Sequence, residues 1–143
     1  MTTYLLDVNV LLALADPMHV HHEAAHRWFG ARGEQSWATC PITENGFVRV
    51  ASHASYPNRP GDAPAVLDLL RQFCAAPGHC FWPDQLSLRE LALPGALFTH
   101  NQITDIYLLS LAVGQGGKLA TFDQRIAAGS VLGGKDALEL IGL

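Results

Sequence analysis

Short apolar segments typical of buried strands alternate along this chain with longer segments of helical spacing. The strand-like segments cover residues 3–7, 36–40, 79–83 and 118–123. The helix-like segments cover residues 8–15, 19–33, 43–50, 63–76, 87–93, 103–114 and 124–128. Residues 54–62 are rich in proline and glycine and indicate a loop, while residues 137–143 form a last apolar stretch. The alternation predicts an α/β fold in which helices cover both faces of a parallel sheet.

Four carboxylates lie at the seams between strand-like or loop segments and the helical segments beside them: Asp7, Glu44, Asp105 and Asp123. A parallel α/β sheet binds ligands outside the carboxyl ends of its strands, so these acids are predicted to meet at one edge. Charged groups near a core are costly unless they are paired, hydrogen-bonded or bound to a metal. The pattern indicates a cation site, although each acid alone also suits a helix cap or a first turn.

Composition narrows the class of protein. Residues 1–143 are predicted to form a single domain with its own core, because the chain is long enough and 49% apolar. A net charge of −4 argues against the basic surface of a static nucleic-acid binder. Three cysteines without a CxxC pair favour a reducing compartment over a disulfide framework. We find no signal-peptide pattern and no long apolar run, and we therefore expect a cytoplasmic protein without a membrane span.

Several pieces of the sequence match one known family, in the order in which that family has them. They are LLDVNVLLAL at 5–14, HVHHEAAHRWF at 19–29, WATCPITENGFVRV at 37–50, ITDIYLLSLA at 103–112 and KLATFD at 118–123. On these pieces the chain resembles the PIN-domain ribonucleases, and in particular the VapC-type toxins of bacterial toxin–antitoxin pairs. The resemblance implies a three-layer α/β/α domain with a central parallel sheet. It also implies a divalent-metal-dependent endoribonuclease, a cognate antitoxin protein and a homodimer.

The resemblance assigns roles to individual residues by motif position. The family's first, second, third and more variable fourth acids correspond to Asp7, Glu44, Asp105 and Asp123. All four are expected to be catalytic and to hold metal. Asn9 is expected to orient Asp7 or a metal-bound water, and Thr121 to support Asp123.

The ligand type indicates the chemistry. Carboxylate ligands without histidine or cysteine favour Mg²⁺ or Mn²⁺ over zinc. One or two such ions would position a phosphodiester, activate a water and stabilise developing charge, so RNA hydrolysis would need no nucleophilic side chain. Three arginines are weaker candidates for RNA contacts, since an exposed arginine is usually only solvated: Arg49, Arg89 and Arg125. A transfer RNA anticodon loop, a ribosomal RNA loop and messenger RNA are all compatible with the sequence.

Two other functions stay open on the sequence alone. Residues 22–26 read HEAAH, which matches the HExxH motif with which metalloproteases bind catalytic zinc on one helix face. In that hypothesis His22 and His26 would need a third ligand, for which His53 or Glu44 lies downstream. A PIN-like domain that binds RNA or a partner without cleaving RNA is the second alternative.

The acids also suggest how a partner would bind. A cluster of carboxylates with little positive charge nearby is a natural target for an inserted basic side chain. We therefore predict that an antitoxin tail lies over apolar surface near the site and places such a side chain among the acids. Resemblance further suggests that two acidic clefts join into one groove in a homodimer.

Overall fold

A parallel sheet organises the protein, for which a computed structural model describes residues 1–91 and 98–142. In this part of the chain the sheet has five strands, in the order β3-β2-β1-β4-β5. They are β1 (Tyr4–Leu6), β2 (Trp37–Thr39), β3 (His79–Phe81), β4 (Lys118–Thr121) and β5 (Leu138–Leu140). All neighbouring pairs are parallel, which confirms the predicted α/β fold. The fifth strand lies in the apolar stretch at residues 137–143.

The helices connect these strands. They are α1 (Val8–Ala15), α2 (His22–Trp28), α3 (Pro41–Ala51), α4 (Ala63–Cys74) and α5 (Ile103–Gly114). A π-helical turn at Phe29–Gly33 continues α2, and 3₁₀ turns lie at Leu88–Glu90, His100–Gln102 and Ala128–Ser130. Within the described ranges, every helix is too short or too polar to cross a membrane.

Alternating strand side chains build a core on each face of the sheet. On one face Tyr4, Leu6 and Trp37 belong to a buried cluster that draws its other members largely from α1, α2, α3 and α4. On the other face Leu5 and Ala38 pack in a second cluster, to which α5 contributes most of the helical side chains. Successive residues of a strand point to opposite faces, so one apolar run fills both clusters. The predicted three-layer α/β/α arrangement is confirmed.

The central strand sets the position of the predicted site. β1 pairs with β2 on one side and with β4 on the other, and Tyr4 lies between Trp37 and Lys118 in register. The Asp7 N–H donates to the Ala120 carbonyl at 3.0 Å, which ties the end of β1 to β4. The strand order reverses direction at β1, and such a switch point leaves a crevice at the carboxyl ends of the strands.

Two predicted helix starts are wrong, for local reasons. α3 begins at Pro41 rather than at Thr43, because proline suits the first turn of a helix. The Thr43 hydroxyl accepts the Cys40 N–H at 3.0 Å, so Thr43 closes a capping box from inside the helix. The helix predicted over 19–33 begins only at His22, after a turn in which the His21 N–H donates to His19 Nδ1.

Two further predicted helices differ from the structure. No α-helix forms over 124–128, because the Asp123 carboxylate accepts the Arg125 N–H at 2.8 Å and turns the chain. In the segment 87–93, the capping box that Ser87 and Glu90 predict is present but closes only a 3₁₀ turn. Residues 92–93 of that segment lie outside the described residues.

Candidate active site

Asp7 is the most buried of the four predicted acids, with 7% of its surface exposed. It follows β1 directly and caps α1, since its Oδ1 accepts the Val8 N–H at 2.8 Å. Its Oδ2 accepts a second hydrogen bond from the Thr121 hydroxyl at 2.8 Å. Burial raises the pKa of Asp7, the bonds from Thr121 and Val8 oppose that rise, and the charge of Asp123 adds to it. Asp7 is therefore an N-cap and also an acid whose ionised form is disfavoured by burial.

The Thr121 hydroxyl connects three site residues. While it donates to Asp7, it accepts from Asn9 Nδ2 at 3.1 Å and from the Asp123 N–H at 3.1 Å. Asn9 is itself fixed, because its Oδ1 accepts the Phe122 N–H at 3.2 Å. Asn9 thus acts on Asp7 through Thr121, and Thr121 holds both the Asp7 carboxylate and the backbone of Asp123. This geometry gives each predicted supporting residue a definite contact.

Asp105 completes a group of three aspartates. It lies half-buried in the first turn of α5, which begins after the 3₁₀ turn at residues 100–102. Its pKa is raised to about 6, first by burial and then by the charges of Asp7 and Asp123, while Arg125 lowers it. The structure therefore brings Asp7, Asp105 and Asp123 into one electrostatic group at the carboxyl edge of the sheet.

Glu44 faces a different set of side chains. The Thr39 hydroxyl donates to its Oε2 at 2.7 Å, and ligand atoms of Glu44, Cys74 and His79 all lie within 4.8 Å of one another. Among residues 1–91 and 98–142, no other three histidine, cysteine or acidic side chains lie this close together. The role of Glu44 beside the aspartates remains a prediction. Its neighbours Cys74 and His79 were missed, since no sequence motif joins them.

The three candidate arginines lie in different surroundings. Arg125 is next to the acids: its Nε lies 3.3 Å from Asp123 Oδ1, and its carbonyl accepts from Gln102 Nε2 at 3.0 Å. Arg89 is exposed and bonds Ser87 beside it. Arg49 is exposed in the last turn of α3, at a shallow depression away from the start of that helix. Arg125 is thus the arginine that the structure places at the site.

The HExxH histidines have a structural role. His22 Nδ1 donates to the Ala13 carbonyl at 2.7 Å, and His26 Nε2 donates to the Leu14 carbonyl at 2.9 Å. Both carbonyls belong to the last turn of α1, where backbone acceptors lack helical partners. Their rings lie 4.4 Å apart, but within the described ranges no third ligand joins them in a compact cluster. The geometry therefore gives no support to a zinc protease.

A doubly covered parallel sheet with three aspartates at its carboxyl edge defines an α/β/α protein with an acidic site. The family model described as the PIN domain matches residues 4–131, and the chain belongs to this family. Ribonuclease VapC39 of Mycobacterium tuberculosis is 42% identical over 127 residues, which cover 87% of this chain and 91% of that protein. Ribonuclease VapC44 of the same species is 45% identical over 131 residues, covering 90% and 92%. Within the PIN family, the chain is thus of the VapC type.

Solved structures share the fold. The crystal structure of Mycobacterium tuberculosis VapC20, a sarcin–ricin loop cleaving toxin, matches with a TM-score of 0.58 and 10% identity. That match covers 90% of this chain and 96% of VapC20. VapBC2 from Rickettsia felis, bound to a DNA fragment from its promoter, matches with a TM-score of 0.55, 12% identity, and coverage of 87% and 90%. At such low identity, the two structures support the fold of this chain and nothing finer.

Proposed function

We propose that this protein is the toxin of a toxin–antitoxin pair, a divalent-metal-dependent endoribonuclease that hydrolyses RNA phosphodiesters. Asp7, Glu44, Asp105 and Asp123 are the proposed catalytic carboxylates. The observation that carries the proposal is the electrostatic group of Asp7, Asp105 and Asp123, in which like charges help to raise the pKa of Asp105 to about 6. Such repulsion among like charges favours binding of a cation.

The donor atoms fit Mg²⁺ or Mn²⁺. The three aspartates offer carboxylate oxygens, which are the ligands that hard divalent cations prefer. When bound, such a cation would help to activate water and to stabilise charge on the attacked phosphate. The ligands in this proposal are Asp7, Asp105 and Asp123, with Glu44 as a fourth.

The remaining residues position the acids and the substrate. Thr121 and Asn9 hold the Asp7 carboxylate in one orientation. Thr121 donates to Asp7, Asn9 donates to Thr121, and the Phe122 N–H fixes Asn9 in turn. Asp105 shares the field of Asp7 and Asp123 and would gain from a cation, since its ionised form is costly without one. Arg125, whose side chain is 89% exposed, is the proposed phosphate contact. Arg49 and Arg89 remain weaker candidates.

The proposed partners are an antitoxin protein, an RNA substrate and a second copy of the chain. The antitoxin is supported by the likeness to the VapBC2 complex from Rickettsia felis. In the proposed complex a basic side chain of the antitoxin enters among the three aspartates, where it would relieve the same repulsion as a cation. A cytoplasmic location follows from this proposed role.

Cleavage of total cellular RNA by the purified, antitoxin-free protein tests the proposal. We expect discrete fragments with Mg²⁺ or Mn²⁺ and none with EDTA. Asp7→Asn keeps a good N-cap but removes the charge, and is expected to lower cleavage about a hundredfold or more, because a bound cation supplies several kcal/mol. Asp136→Asn, a change at an exposed aspartate, is the matched control and should leave cleavage unchanged.

The outcomes separate the competing functions. Metal-independent fragments, or fragments that persist in Asp7→Asn, would contradict the proposed mechanism. Tight RNA binding without cleavage under any metal would favour the non-cleaving alternative. Sequencing the fragment ends would name the RNA target.

A further inference from the structure

We propose that Glu44, Cys74 and His79 form a binding site for a zinc-class divalent cation, separate from the three-aspartate site. Their carboxylate oxygen, sulfur and imidazole nitrogen atoms all lie within 4.8 Å of one another. The cluster lies on the sheet face covered by α1–α4, where Cys74 packs against the core. Asp105, in contrast, comes from α5 on the opposite face.

The fold fixes the three ligands from three different elements. Glu44 lies in the first turn of α3, Cys74 is the last residue of α4, and His79 is the first residue of β3. The turn at residues 75–78 brings Cys74 back to His79, and the His79 N–H donates to the Ala76 carbonyl at 3.1 Å. β2 and β3 pair in parallel with Trp37 opposite His79, and the two rings pack edge to face at 4.8 Å. The ligands are therefore held by packed structure.

A buried hydroxyl marks the point on which the ligands converge. Thr39 is fully buried, and its Oγ1 lies 2.7 Å from Glu44 Oε2, 2.8 Å from His79 Nε2 and 4.0 Å from Cys74 Sγ. A hydroxyl has one proton, which Thr39 donates to Glu44, so His79 Nε2 donates to Thr39. A carboxylate, an imidazole and a thiol thus all approach the same polar atom from different elements of the fold.

The mixture of ligands selects the cation. Zinc accepts sulfur, nitrogen and oxygen ligands in tetrahedral sites, whereas Mg²⁺ takes oxygen alone. Zinc bonds of about 2.0–2.3 Å place two tetrahedral ligands roughly 3.3–3.8 Å apart, so shifts of about 1 Å would close this cluster. Cys74 would bind as the thiolate and release its proton to solvent, and His79 would bind through Nε2 as the neutral tautomer that carries its proton on Nδ1. All three side chains are half-buried, so solvent could supply water as the fourth ligand.

Binding of a zinc-class cation at this cluster should affect RNA cleavage, an expectation that rests on the proposed function. Glu44 belongs both to the cluster and to the proposed catalytic carboxylates. A zinc-class cation bound by Cys74 and His79 would engage Glu44 and withhold it from the aspartates. Zinc is therefore expected to inhibit Mg²⁺-dependent cleavage, and the inhibition should require Cys74.

Cobalt binding tests the site without reference to activity. The full chain, kept reduced with a phosphine and freed of metal, is titrated with Co²⁺ while thiolate-to-cobalt charge-transfer absorption is recorded. We expect one Co²⁺ per chain with this absorption, which Zn²⁺ displaces. Cys74→Ser should abolish the absorption, and His79→Gln should weaken Co²⁺ binding by at least about tenfold. Circular dichroism checks that each variant is folded.

Two matched controls make the test decisive. Cys80→Ser removes another half-buried thiol, on the opposite sheet face, and Asp7→Asn alters the three-aspartate site; both should keep the cobalt spectrum. No charge-transfer absorption in the wild type, or absorption that survives both Cys74→Ser and His79→Gln, would overturn the proposal. Failure of the ribonuclease proposal would appear separately, as absent cleavage with Mg²⁺ alone, and would leave the cobalt result unaffected.

Discussion

Replacement of Asp105 by asparagine is expected to stabilise the metal-free protein at neutral pH. The pKa of Asp105 is raised from 3.8 to about 6 by burial and by the charges of Asp7 and Asp123. At 1.36 kcal/mol for each pKa unit, that difference corresponds to about 3 kcal/mol of cost in the folded state. Because Asp105 is only half-buried, solvent screening reduces the expected gain in the variant to about 1–2 kcal/mol.

The size of the effect depends on pH in a defined window. A carboxyl with a raised pKa in the folded state favours folding while it is protonated, so this contribution is lost as the pH rises through about 6. Asparagine does not titrate. The variant should therefore exceed the wild type in unfolding free energy at pH 7.5, and the difference should shrink towards pH 4.

Urea unfolding in EDTA at pH 4.5 and at pH 7.5 measures the effect. Asp68→Asn, at an exposed aspartate paired with Arg71 on α4, is the matched control and should change stability little. Adding Mg²⁺ should stabilise the wild type more than Asp105→Asn, since the variant lacks one ligand. A variant that is less stable than the wild type at pH 7.5 in EDTA would refute the electrostatic account of the site.

Two further changes test other parts of the structure. Thr121→Val removes the hydroxyl that contacts Asp7, Asn9 and the Asp123 N–H, and should cost about 2–4 kcal/mol of unfolding free energy. Thr121→Ser keeps the hydroxyl and should cost about 1 kcal/mol. Equal losses in the two variants would contradict the role of the hydroxyl. Gly78→Ala should cost about 2 kcal/mol or more, because a Cβ there would overlap the Glu34 carbonyl oxygen. Gly114→Ala, where nothing lies within 4 Å of the added Cβ, should not destabilise the protein. Thermal denaturation measures both pairs, and a neutral Gly78→Ala would show that the backbone yields at this turn.

Much of the fold follows from local patterns in the sequence. The apolar runs around Leu5, Ala38 and Leu119 predict buried strands, and the helical segments between them predict parallel pairing. Once the strands are parallel, Asp7 and Asp123 must lie at the same edge, since Asp7 directly follows β1 and Asp123 comes two residues after β4. The meeting of these two acids was therefore predictable from topology, and Asp105 joins them from the first turn of α5.

Other features depend on tertiary geometry that the sequence does not state. The helix expected over 124–128 fails because a side-chain turn at Asp123 competes with the helix, and helical propensity does not reveal that competition. The neighbours of Glu44 depend on the register between β2 and β3 and on where α4 ends. Cys74 and His79 are five residues apart, a spacing that predicts no contact by itself. Only the folded chain shows that both face Thr39.

The bonds from His22 and His26 to α1 show why a motif can be present without its usual chemistry. Residues four apart on a helix point the same way, so their side chains can reach any common target that lies beside that face of the helix. In a zinc protease the common target is a metal ion. Here the targets are two successive carbonyl groups, Ala13 and Leu14, which carry the negative end of the α1 dipole. Asp7 caps the start of α1, and the two imidazoles cap its end. The HExxH motif of this chain therefore marks a pair of side chains that stabilise a helix terminus.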